Sequence, residues 1–407
     1  YISYIKKITS KPVVSVGRFT SPDSMVGQIN RGIVDMIGAA RPSIADPFLP
    51  KKIQDGYFED IRECIGCNIC YSGDSLGVPI RCTQNPTMGE EWRRGWHPEN
   101  IPKKKSNDSF LIIGAGPAGL EAAHALGKRG YKVILSEQHN YLGGRVTLES
   151  KLPSLSEWAR VRDYRQQQFF KLPNVDIFLN SKINAEEALS IQTDHIVIAT
   201  GAKWHTNGFG RNNTRGIGDL QSLGNIFTPD DIMSGNLPEG KVVIFDDDYY
   251  YMGPVIAEML QKRGCDVTFI TTSNMVCSFG NYTSEQFSAQ KNLINSGVKT
   301  IFSQNIISFS HGDLKLSCTY TDKKSKLNAD AIVLITARLP VDDLYYDLQK
   351  LKENGKTKSV KSIQRIGDCD APSIIASAVY SGRKYALEID DDSGVNYSIR
   401  RDTNYSI

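Results

Sequence analysis

The chain has 407 residues, 40% of them hydrophobic and 23% charged, with Lys+Arg 48 against Asp+Glu 45 and a formal net charge of +3. That length asks for about two to four domains. The average composition excludes collagen-like, coiled-coil and wholly disordered chains, and the balanced charge offers no basic field for nucleic acid or a membrane surface. No apolar run approaches the roughly 18–20 residues of a membrane-spanning helix. The chain starts Tyr1-Ile2-Ser3, without Met or a signal-type segment. It is expected to be a piece of a longer protein.

In chain order, Val13–Val16 and Asp35–Gly38 read as short strands, with a helix over Ser21–Arg31 that carries Pro22 at its start. Together they predict a parallel β-α-β unit. Residues 61–98 are rich in turn formers, and Lys103–Asp108 reads as a charged linker. From Phe110 strands and helices alternate. Strands are expected at Phe110–Ile113, Lys132–Leu135 and His195–Ala199, with a helix at Ala118–Arg129. The Gly- and Asn-rich stretch Gly201–Gln221 reads as a crossing. A second set follows: strand Lys241–Phe245, helix Pro254–Arg263, strand Asp266–Ile270 and strand Ala331–Thr336. A last strand, Ile363–Gly367, precedes a helix near Pro372–Leu387. The pattern predicts an α/β chain with two successive dinucleotide-type modules.

Four of the eight cysteines fall in residues 64–82. Cys64, Cys67, Cys70 and Cys82 read C-x2-C-x2-C-x11-C. Four thiolates in such a cluster suit an iron–sulfur centre, expected as 4Fe-4S. Zinc more often takes two separated pairs, and reduced structural cysteines are the plainest alternative. The clustering points to a reducing compartment, cytoplasmic or similar. Cys265, Cys277 and Cys318 are expected to be small buried fillers.

Gly114-Ala115-Gly116-Pro117-Ala118-Gly119 is G-x-G-x-x-G between a strand and a helix, the setting in which backbone N–H groups hold a pyrophosphate. Gly114, Gly116 and Gly119 supply the close approach, Glu137 ends the next strand where a ribose hydroxyl would be met, and Gly144 offers another tight turn. A ligand-free strand–helix turn is the alternative. Asp368 meets the middle of a dinucleotide or caps the final helix. The second module has Asp246-Asp247-Asp248-Tyr249-Tyr250-Tyr251-Met252-Gly253 where its own glycine loop belongs. Carboxylates repel phosphate and the tyrosines take its room, so this module is not expected to bind NAD(P)H; as a solvated loop it would bind none either. His124 is expected on a helix surface, His195 just ahead of a strand, and Trp92 and Trp96 in a packing knot beside Arg93 and Arg94.

The segments Glu63–Cys70, Cys82–Asn85, Gly89–Glu99, Ala40–Pro50 and Arg162–Arg165 closely resemble the trimethylamine dehydrogenase family, with its dimethylamine and histamine dehydrogenases and, more widely, 2,4-dienoyl-CoA reductase. The resemblance implies the C-terminal remnant of a TIM (β/α)8 barrel at 1–60, a 4Fe-4S segment and linker at 61–105, and two Rossmann-like dinucleotide-binding domains of flavin disulfide reductase type. These are an ADP- or FAD-binding one at 106–235 plus 345–395 and an NAD(P)-binding-like one at 236–344. It implies an FMN phosphate held around Gly17, Arg18, Ala40 and Arg41, with Arg41 alone otherwise readable as a surface ion pair. Catalytic residues are expected in barrel strands that this chain does not contain. The acidic second loop and Arg93-Arg94-Gly95-Trp96-His97 favour the amine dehydrogenase branch. That branch implies a small amine substrate, an electron-transfer flavoprotein as acceptor, and a homo-oligomer. The alternatives are an NAD(P)H-dependent reductase and an inactive fragment that binds only cluster and nucleotide.

Overall fold

The computed structural model describes residues 2–218, 220, 225–355, 357 and 360–391. The tail of the crossing stretch at 219 and 221, and residues 392–395 of the split domain, lie outside them.

The N-terminal piece holds strands β1 (Val14–Val16) and β2 (Met36–Gly38), joined by helix α1 (Pro22–Asn30) and paired in parallel. Helices α2 (Ala40–Ala45) and α3 (Leu49–Gln54) follow. The cysteine segment carries α4 (Ile69–Ser75) and a single turn, α5 (Glu91–Arg94). Next come β3 (Ser109–Ile113), α6 (Pro117–Arg129), β4 (Lys132–Ser136), α7 (Arg145–Glu149), α8 (Arg160–Phe169), β5 (Val175–Phe178), α9 (Ala185–Ser190) and β6 (His195–Ile198). Beyond β7 (Ala202–Trp204) lie β8 (Ile226–Phe227), α10 (Pro229–Ser234), β9 (Lys241–Asp246), α11 (Met252–Lys262), β10 (Asp266–Thr271), α12 (Gly280–Thr283), α13 (Gln286–Asn295) and β11 (Lys299–Ile301). Then follow β12 (Gln304–Ser310), β13 (Asp313–Cys318), β14 (Lys324–Asn328), β15 (Ala331–Ile335), β16 (Arg338–Pro340), α14 (Asp343–Glu353), β17 (Ser362–Arg365) and α15 (Ile375–Glu388).

Two five-stranded parallel sheets organise the molecule, ordered β17-β6-β3-β4-β5 and β11-β10-β9-β15-β8. Strands β3 and β15 read as unbroken apolar runs because helices bury both faces of a parallel sheet. The chain leaves the first sheet after β6, builds the second, and returns through β17 and α15. The antiparallel pair β7–β16 ties the outgoing and returning segments together. Helix α15 lies directly against α6: a Cβ on Gly382 would stand 2.2 Å from the Ala118 carbonyl oxygen.

Several expectations fail at this level. The three-stranded antiparallel sheet β12-β13-β14 was not foreseen. His124 is fully buried, because α6 is covered by its sheet and by α8 and α15. Burial first, and then Arg383, Lys128, Arg165 and Arg62, hold its pKa well below the ordinary value. His195 opens β6 itself and stacks on Phe110. Trp96 packs against Tyr380, but Trp92 is 65% exposed because α5 presents it outward. Cys265 and Cys277 are buried; Cys318 is only half-buried, since β13 ends there.

Candidate active site: a cysteine ring beside a nucleotide cleft

The glycine loop sits where β3 gives way to α6. Gly114 has φ 104°, and a Cβ there would lie 2.4 Å from the Ala199 carbonyl oxygen. Gly119 serves packing: its Cβ would stand 1.9 Å from the Gly114 carbonyl oxygen. Gly116 is the N-cap of α6 and has open space before it. Unpaired amides of the first turn therefore face a cavity of about 1560 Å³. Gly114, Gly116, Glu137, Gly144 and Asp368 all line that cavity, and Gly119 does not.

Glu137 is buried, and its carboxylate accepts from the amides of Ala115 (2.8 Å) and His139 (2.9 Å). One acid thus braces the glycine loop and the end of β4. Asp368 accepts from Arg338 at 2.6 Å and from the Ser373 amide at 3.0 Å. It does not cap α15, whose N-cap is Ile374. On the wall of the same cavity Arg145 and Arg338 lie over the Trp204 ring, 5.8 and 5.5 Å from its centroid. Sequence reasoning missed these three residues. The run Gly143-Gly144-Arg145 marks Arg145, whereas Trp204 and Arg338 meet only through the β7–β16 pairing.

The second module's loop fills its own cradle. Asp247 is fully buried and accepts from Thr272 Oγ1 (2.6 Å), Tyr249 Oη (2.9 Å) and the amides of Asn212 (2.9 Å) and Asn213 (3.1 Å). Asp246 accepts from the amides of Asp248 and Tyr249 at 3.2 and 3.1 Å. Burial first, and the neighbouring Asp248, push the Asp246 carboxyl well above the carboxylate range. The reading of these acids as a solvated loop is therefore corrected: Asp246 and Asp247 turn inward because the amides and hydroxyls they satisfy are inside.

Cys64, Cys67, Cys70 and Cys82 line one small pocket, and all four are free thiols. Ile65 and Ile69, between them, are buried in a core cluster that runs from Val146 and Trp158 into the second module and anchors the loop. The Cys64 amide donates to Thr20 Oγ1 at 2.7 Å, the Cys67 sulfur lies 3.1 Å from Thr83 Oγ1, and the Gln84 side chain donates to the carbonyls of Glu63 and Arg160. Burial pushes the Cys67 thiol up to about 11 and, with Cys67 beside it, the Cys82 thiol up to about 12. Among the described residues no three His, Cys, Asp or Glu side chains form a single-ion group. A cluster asks for something else, since each thiolate meets a different iron. A cationic centre would draw these crowded thiols to thiolates, so the donor set fits such a group.

Arg18 and Arg41 face this ring. Arg18 donates to the Cys64 carbonyl at 3.0 Å and pairs with Glu157 at 3.5 Å; Arg41 donates to Asn68 Oδ1 and lines the cysteine pocket. Gly17 follows β1, and Ala40 opens α2.

Residues 108–382 match the pyridine nucleotide-disulphide oxidoreductase family. The chain belongs to that family. Residues 2–60 match the NADH:flavin oxidoreductase / NADH oxidase family. The chain is 40% identical to dimethylamine dehydrogenase of Hyphomicrobium sp. (strain x), over 96% of this chain and 56% of that protein. Its fold matches the structure of a 6-hydroxypseudooxynicotine amine oxidase from Pseudomonas geniculata N1 with TM-score 0.92 and 46% identity, covering 96% of this chain and 58% of that one. Histamine dehydrogenase from Rhizobium sp. 4-9 matches with TM-score 0.92 and 44% identity, covering 98% of this chain and 58% of that one. These matches put this oxidoreductase-family chain among the trimethylamine dehydrogenase relatives, along their C-terminal part. The chain spans a little over half the length of each of these three relatives.

Proposed function

We propose that this chain is the cluster- and nucleotide-holding part of an amine dehydrogenase-type iron–sulfur flavoprotein. In the intact protein a small amine would be oxidised at FMN in a barrel, and the electrons passed to an electron-transfer flavoprotein. One observation carries the reading: four cysteines within residues 64–82 line one pocket, between the β1–β2 piece and the second nucleotide module. A bound 4Fe-4S group supplies one-electron chemistry. The division of the chain at 61, 106, 236 and 345 follows from this reading.

The chain's own residues then have distinct tasks. Cys64, Cys67, Cys70 and Cys82 hold the cluster, and Thr83 and Thr20 orient its loop. Gly17, Arg18, Ala40 and Arg41 form the side of the barrel piece that would hold the FMN phosphate, Arg41 with its remaining guanidinium donors. Gly114, Gly116 and Gly144 give ADP or FAD its approach, Gly119 keeps α6 close to β3, and Glu137 holds the ribose. Asp368, on the cavity wall, is fixed by Arg338. The cysteine clustering supports a reducing compartment, and no helix among the described residues is long and apolar enough to cross a membrane.

Anaerobic purification of the chain tests this. About four iron and four acid-labile sulfides per chain, with a brown absorbance, are expected; colourless iron-free protein overturns the reading. Nucleotide released on denaturation identifies ADP or FAD. For the intact protein, turnover with an amine and a dye acceptor, and none with NADPH, separates the dehydrogenase from the reductase alternative.

A further inference from the structure

Asn68 stands between Cys67 and Cys70 with φ 54°, a left-handed backbone that asparagine adopts more readily than most residues. Its side chain is held from two sides. Oδ1 accepts from Arg41, and Nδ2 donates to the Thr283 carbonyl of α12 at 2.7 Å. Arg41 lies in the first turn of α2, just beyond β2. One amide therefore joins the barrel piece, the cysteine loop and the second module. Arg41 is also the one cationic side chain among the described residues lining the cysteine pocket.

Adding an electron to a cluster adds negative charge, and a nearby cation stabilises that state. A guanidinium on a long, rotatable side chain does so reproducibly only if something fixes its direction. We propose that Asn68 is a positioning residue, which holds the Arg41 guanidinium beside the thiol ring and thereby raises the reduction potential of the cluster bound there. The inference rests on the cluster reading above. It adds a role that neither the cysteine spacing nor the glycine loop contains.

The test is a redox titration of the anaerobically purified chain, followed by electron paramagnetic resonance, with iron content measured for each variant. Arg41→Gln is expected to lower the reduced-to-oxidised ratio at fixed potential on the order of tenfold, about 59 mV for a one-electron couple. Asn68→Gly keeps the left-handed backbone and is expected to shift the ratio in the same direction by less. In the Arg41→Gln background the same change is expected to add nothing, because Asn68 acts through Arg41. Arg41→Lys keeps the charge and is expected to fall between wild type and Arg41→Gln. An Arg41→Gln chain at the wild-type potential overturns the inference, and so does an Asn68→Gly shift that persists undiminished in that background. Loss of iron from both single variants would make the pair a structural post of the loop and overturn the tuning role. A wild-type chain without iron overturns the cluster reading itself, which separates the two failures.

Discussion

Glu99 accepts from Lys52 and Arg62 at 2.8 Å each, and Lys128 stands 3.6 Å away. Burial alone raises a carboxyl, but Arg62, Lys52 and Lys128 outweigh it and hold Glu99 down to about 2. Lys128 is itself pulled down by its burial, so Arg62 and Lys52 are the main partners. The unfolded carboxyl titrates near 4.5. Above that pH the stabilisation is fully present, and it is lost as pH falls from 4.5 toward 2. Glu99→Gln is therefore expected to cost roughly 2–3 kcal/mol at neutral pH and progressively less in acid. Urea midpoints at pH 7 and pH 3 check this; an equal gap at both would count against it. Single residues were legible in the sequence where spacing alone fixes their neighbours. The four cysteines and Glu137 are such cases. Glu121, fully buried between Arg165 and Arg383 at 2.7 Å each, is the opposite case. Its partners come from α8 and α15, and no local pattern announces them. The inward turn of Asp247 was hidden for the same reason, because its donors Thr272 and Asn212 lie on other segments.

Among the elements, the loop after β9 carries the proposal that the second module binds no NAD(P)H. A phosphate entering there would have to displace Asp247 from four donors and then meet buried carboxylates. No saturable NADPH binding is expected in a calorimetric or fluorescence titration into the millimolar range, and micromolar binding would contradict the proposal. The strands and helices flanking both loops were readable because buried parallel strands are unbroken apolar runs. Their ends moved by a few residues, as with α15, which begins at Ile375 rather than Pro372. The sheet β12-β13-β14 was not readable in that way, since its outward positions mix Ile307 with Asp313, Lys315, Lys324 and Lys326, and Ser308 and Ser317 face inward. Its signals are the alternation of Leu314 and Leu316 and the turn at His311 and Gly312, with φ 52° and 83°. Such a turn marks a hairpin, and Phe309, Leu314 and Leu316 bury its inner face.

At the scale of the whole molecule, the cysteine segment joins the β1–β2 piece to the second module through Asn68. It has only two short helices, and its core contribution is Ile65 and Ile69. Metal binding in such a segment is coupled to its folding. Removing iron with a chelator under reducing conditions is expected to lower the thermal midpoint and to open residues 61–98 to protease, while the two parallel sheets persist. Limited proteolysis with circular dichroism reads both effects; an iron-free chain as resistant as the loaded one would refute the coupling. The two parallel sheets were legible because each repeats a strand–helix–strand rhythm. The contact of Asn68 with Thr283, which bridges the cysteine segment and the second module, was not.

The first sheet is interrupted: β6 ends at Ile198, and the strand that covers it, β17, starts at Ser362. During synthesis, then, the glycine loop leaves the ribosome long before its sheet acquires that edge strand and before Gly382 can press α15 onto α6. A nascent chain stopped between those points carries an open strand edge and an uncovered helix. A nucleotide held at the glycine loop would consequently be captured late, after translation has passed the last helix, and quality control would have a long interval in which to intercept the half-made module.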